Sequence, residues 1–110
     1  MQIQRTVHSS RQPADVFAYL SDFTTTTEWD PGTVRTTCTS GDGGLGTRYH
    51  NVSTFRGRTT ELDYEVVEYD PPRRIRLVGS NHTLTARDTI TVDAEGDGSR
   101  VTYEAVFTFH

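Results

Sequence analysis

Apolar and polar residues alternate one for one along most of this chain, and that rhythm commits it to β-sheet. Successive side chains of a strand point to opposite faces, so a period of two makes one face oily and the other wet. The last stretch, "SRVTYEAVFTFH", places Val101, Tyr103, Ala105, Phe107 and Phe109 on one side, with Thr102, Glu104, Val106, Thr108 and His110 on the other. "LTARDTITVD" sets Leu84, Ala86, Asp88, Ile90 and Val92 against Thr85, Arg87, Thr89 and Thr91. "RIRLVG" pairs Ile75 with Leu77. "TELDYEVVEY" aligns Leu62, Tyr64 and Val66 until the Val66-Val67 step breaks phase, the mark of a bulge. "LGTRYHNVSTF" aligns Leu45, Thr47, Tyr49, Asn51, Ser53 and Phe55, "TVRTTCTS" aligns Val34, Thr36 and Cys38, and "QIQRTVH" opens with Ile3 and Val7 in step.

One segment keeps a different period. In "QPADVFAYLSDF", Pro13 suits a first helical position, where its missing N–H is no loss, and Asp15 sits near the positive end of the helix. Val16, Phe17 and Leu20 recur on one stripe, with Phe23 just beyond. Asp22 and the run Thr24 to Thr27 stop regular helix, because β-branched and capping residues compete with it. Between the alternating runs lie turn sequences: "SGDGG", "FRGR", "YDPPRR", "GSNH" and "EGDGS". Connections this short join antiparallel neighbours. With no internal repeat and no linker, residues 1–110 read as one domain: a strand, a helical segment, then about six strands in a meander. Such a sheet, oily on one face, curves around whatever fills it.

Charge and composition remove several functions. A net charge of −4 and a pI near 5.4 argue against a nucleic-acid partner or an anionic membrane surface. No stretch is long enough to cross a bilayer stably, and the polar start "MQIQRTVHSS" lacks the apolar region of a signal peptide. With a single cysteine, Cys38, the expected home is the reducing cytoplasm, and Cys38 is expected as a buried structural thiol. All 11 basic residues are arginine, so lysine chemistry is absent and "SGDGGLG" cannot be a phosphate loop. His8, His50, His82 and His110 show no metal-ligand spacing. Neither metal nor cofactor is expected.

The order of pieces is more informative than any one of them. "PADVFAYLSDF" is followed by "EWDPG", "GLGTRY", "RGR", "LDYEVVEYDPPRRIRLVG" and "SRVTYEAVFTF". This succession resembles the START-like superfamily, in its polyketide cyclase/dehydrase and lipid-transport branch, over nearly the whole chain. The resemblance implies an α+β helix-grip fold: a curved antiparallel sheet of about seven strands, one or two short helices after the first strand, and a cavity closed by a long C-terminal helix. The sequence departs from that pattern at its end, since the last strand runs to His110. A closing helix of about 20 residues would be about 30 Å long. The expectation is therefore a single domain, 1–110, incomplete at its C-terminus and with one cavity wall missing.

Candidate site residues follow from the inner stripe. Asp88 is a carboxylate among apolar neighbours, so it must be paired, hydrogen-bonded or protonated; it is the candidate general acid or base, or the group that orients a ligand. Tyr49, Asn51, Tyr64 and Tyr103 share inner faces with Phe107, giving the mainly apolar lining with a few polar groups that small-molecule pockets show. Trp29, the only tryptophan, follows the helix; the resemblance places this segment near a cavity entrance. A structural ion pair or Tyr–Asp hydrogen bond for Asp88, and a hydrophobic plug for Trp29, are the plainer alternatives. Three functions stay open: binding or transport of a small hydrophobic ligand such as a lipid, polyketide or other aromatic metabolite; a cofactor-free cyclase/aromatase-type enzyme; and an interaction module that docks a partner helix, or a second copy as a homodimer, on the uncovered sheet face.

Overall fold

The computed structural model describes residues 1–110, apart from the side chain of Phe55, so the inward place expected for that ring lies outside the described residues. The chain runs β1 (Gln2–Ser9), α1 (Pro13–Ser21), a 3-10 turn (Phe23–Thr25), α2 (Thr26–Trp29), β2 (Thr33–Ser40), β3 (Arg48–Phe55), β4 (Arg58–Asp70), β5 (Arg74–Ser80), β6 (Leu84–Glu95) and β7 (Gly98–Phe109). All seven strands form one antiparallel sheet in the order β1-β7-β6-β5-β4-β3-β2. Strands β2 to β7 are a meander, as the short turns require. β1 lies at the opposite edge from β2, beside β7. The helical segment must therefore travel from one edge of the sheet to the other, and it does so across the inner face.

Local chemistry explains the boundaries. Pro13 opens α1, and Asp22 takes the Thr24 N–H on its side chain at 3.1 Å, which ends α1 and starts the 3-10 turn. The threonine run ends α1 as expected, yet it continues as the 3-10 turn and the four-residue α2 rather than as loop. Arg56 and Gly57 both have positive φ, 53° and 77°, which gives the tight β3–β4 hairpin the backbone twist it needs. The phase break at Val66-Val67 is a register shift between Val66 and Glu68.

Val66, Ile75, Leu77, Ala86, Ile90 and Val92 are almost fully buried on the inner face. Val16 and Phe17 of α1, with Phe23, cover them. The outer face is polar and laced by exposed ion pairs, among them Arg48–Glu65 and Arg100 with Asp93 and Glu95. One expectation is corrected: Cys38 is exposed, because β2 is an edge strand with a neighbour on one side only. Among the described residues no helix is long and apolar enough to cross a membrane.

Candidate functional site

The helical segment roofs only part of the inner face. Phe23 is the hub of that roof, with its ring centroid 5.4 Å from Tyr64, 5.9 Å from Tyr49 and 6.2 Å from Trp29. Over β1 and the C-terminal part of β7 the roof stops, and a cleft of about 400 Å³ opens. Its floor is Val101, Tyr103, Ala105 and Phe107 of β7 with Ile90 of β6; Ile3, Arg5 and Val7 of β1 form the outer side. Leu20 of α1 and the Trp29-Asp30-Pro31 corner face them. Val7, Leu20 and Val101 also border an adjoining hollow beside α1, lined by Arg11, Asp15 and Tyr19.

A short polar chain sets the position of the Trp29 corner. Thr26 of α2 shares a 2.6 Å hydrogen bond with Thr36 of β2, and the Asn51 amide donates to the Thr36 hydroxyl at 2.9 Å. The Trp29 indole N–H donates to Thr25 Oγ1 at 3.0 Å, leaving its ring edge-on to Tyr103 at 6.0 Å. The Asp30 carboxylate accepts from the Gly32 N–H and the Thr33 hydroxyl, so the corner is tied down by its own side chain.

Beside the cleft floor, on β6 across from Ala105, lies Asp88, 4% exposed. The Tyr103 hydroxyl donates to its Oδ2 at 3.2 Å, while Oδ1 is buried without a hydrogen-bond partner among the described residues. Burial pushes the carboxyl up from the ordinary 3.8 to about 7. The Tyr103 hydroxyl opposes this by favouring the charged form, the Asp30 charge adds to it, and the Tyr64 hydroxyl opposes it more weakly. Tyr64 and Tyr103 are both held far above the usual phenol range, first by burial and then by the Asp88 charge. Tyr64 can reach this cluster because Gly79, its cross-strand partner, leaves room: a Cβ there would sit 2.7 Å from the Tyr64 ring.

The geometry sorts the candidates from the sequence. Trp29, Tyr103 and Phe107 line the cleft. Asp88 and Tyr64 lie behind it and reach it through Tyr103. Tyr49 is 2% exposed under Phe23, away from the cleft. Asn51 spends its amide on Thr36 and its carbonyl on the Ser53 hydroxyl, so it seats α2 rather than facing the opening. Arg5 went unnoticed, although it falls between Ile3 and Val7 on the inward stripe of β1, a cation where the pattern calls for an apolar residue.

Chemically, the arrangement offers an apolar bed, a phenol beside a carboxyl whose proton affinity burial raises toward neutral pH, and one cation at the rim. A family model described as polyketide cyclase/dehydrase and lipid transport matches residues 1–110. A search of curated proteins finds no match. Solved structures do resemble the chain. TTHA0849 from Thermus thermophilus superposes with a TM-score of 0.86 at 17% identity, over 100% of this chain and 75% of that one. A START superfamily protein from Mycobacterium smegmatis gives 0.83 at 12% identity, over 99% and 77%. Major latex-like protein 151 from Panax ginseng gives 0.76 at 15% identity, over 99% and 79%. At these identities the likeness shows the helix-grip fold and nothing finer.

Proposed function

The chain belongs to the polyketide cyclase/dehydrase and lipid transport family, and from that premise we propose that it binds a small, mostly apolar molecule in the cleft over β7 and β1. One observation carries this reading: an apolar cleft of about 400 Å³, within the range of small-molecule sites, opens above a single phenol–carboxyl pair. The apolar walls supply affinity by losing water, and Tyr103 supplies orientation. Trp29 makes the test direct, since the only tryptophan of the chain lines the site. Titration with a neutral apolar probe such as decanol should change its fluorescence saturably, at one probe per chain. A linear, unsaturable response would remove the proposal.

The same cleft supports a second reading, a cyclase-type enzyme, favoured by the Tyr103–Asp88 pair. The Asp88 carboxyl can pass a proton to the Tyr103 oxygen as that hydroxyl gives its own to a guest carbonyl, and the carboxylate regains a proton, through Tyr103, from the guest α-carbon that attacks this carbonyl as the ring-closing C–C bond forms. If this is right, Asp88→Asn stops turnover of a poly-β-ketone substrate and keeps probe binding. Unchanged turnover in that variant removes Asp88 from the mechanism, and a wild type without turnover leaves only the binding role.

A further inference from the structure

Arg5 is the cation of the cleft, and its neighbours there are mostly apolar. Five arginines outside the cleft meet carboxylates: Arg48 meets Glu65, Arg74 and Arg76 meet Glu68, and Arg73 and Arg100 meet Asp93. Arg5 instead points to the inner face, between Ile3 and Val7, and has neither an ion pair nor a hydrogen bond among the described residues. It stands directly across from Tyr103 in the β1–β7 register, and opposite residues on one face of an antiparallel pair lie side by side. Its charge reaches the Tyr103 hydroxyl, where it eases ionisation against the effect of burial. The other charged side chain of the cleft, Asp30, is held by the Gly32 N–H and the Thr33 hydroxyl of its own turn. The inner face thus carries a polar row from Arg5 through Tyr103 to Asp88, set in an otherwise oily bed.

A guanidinium has a fixed fork of donors that matches a carboxylate better than any neutral group. We propose that the guest is an apolar molecule with one carboxylate, its hydrocarbon or aromatic body lying over Ala105 and Phe107 and its anionic end held by Arg5 beside the Tyr103 hydroxyl. This rests on the binding role proposed above and narrows it to a class of ligand. The rim position is physically favourable, because the charged end stays near water while the body is buried.

The experiment compares two probes with one body, decanoate and decanol, by Trp29 fluorescence at pH 8 and low salt. Arg5→Gln should weaken decanoate about 5–10-fold and leave decanol within about twofold, the loss expected for one partly exposed charge-assisted contact. Arg5→Lys should recover part of the decanoate affinity, and added salt should shrink the difference between wild type and Arg5→Gln. If the wild type binds decanol and not decanoate, or if Arg5→Gln weakens both alike, the carboxylate assignment is wrong and the binding role stands. If the wild type binds neither, both are wrong. Arg5 is exposed on an edge strand, so its replacement leaves folding intact, and an unchanged melting transition verifies that.

Discussion

Strands β3, β4 and β5 present a roofed inner face, whereas β1 and the Phe107–Phe109 end of β7 present an open one, although both halves are written in the same alternating pattern. In the first half Ile75 and Leu77 are wholly buried; in the second Ile3 is 39% and Val7 58% exposed. The difference does not come from the strands. It comes from where the segment Pro13–Trp29 lies as it crosses from the β1 edge to the β2 edge, with Phe23 landing on Tyr49 and Tyr64 and the segment turning away at Trp29. Buried polar groups divide the same way. Asn51, under the roof, has both ends of its amide satisfied, while Asp88, beside the open half, has one oxygen bonded and one orphaned. A fully bonded polar group fixes structure; a half-bonded one retains the capacity to answer a ligand.

Two phenylalanines on the same inner side give the largest contrast. Phe23, 2% exposed, touches three aromatic rings, and Phe23→Ala should cost about 3–5 kcal/mol in a urea titration, by lost transfer energy and an unfilled cavity. Phe107 is only partly buried, at the cleft floor. Phe107→Ala should cost less than about 1 kcal/mol of stability yet weaken decanol binding several-fold, since its ring area is covered by guest rather than by chain. Equal stability losses at the two positions would mean that the cleft floor is ordinary core, and the division of the sheet into roofed and open halves would be gone.

The sheet was legible because alternation and turn chemistry are local. "LTARDTITVD" and "SRVTYEAVFTF" could be nothing but strands with a fixed inner face, and the Val66-Val67 phase break sufficed to place the bulge. The roof was not legible, because no local signal says over which strands Phe23 will land. For that reason Tyr49 and Tyr64, indistinguishable from Tyr103 by pattern, could not be separated from it as cleft residues. Cys38 fell to the same limit: the inward side of an edge strand is buried only if something crosses it. Arg5 differs, for its misfit between Ile3 and Val7 was visible in the sequence and passed unremarked beside the louder misfit of Asp88.

A smaller effect, of clear sign, tests the open half further. Asp88 is raised on folding from 3.8 to about 7, so between those values the folded chain holds a proton that the unfolded chain releases. The Asp88 contribution to stability then falls as pH rises from about 4 to about 7 and levels off above, being complete only below the lower limit. A shift of this size corresponds to about 4 kcal/mol at about 1.4 kcal/mol per pH unit, and water reaching the carboxyl from the adjacent cleft lowers it. Asp88→Asn, which stays neutral and can keep the Tyr103 contact, should flatten that slope and leave a chain more stable than wild type at pH 8. Urea midpoints at pH 5 and pH 8 for both chains measure it. An Asp88→Asn chain with the same change between the two values as wild type would place Asp88 in water, not buried beside the cleft, and would end the case for Tyr103 as a phenol whose proton is set by the carboxyl next to it.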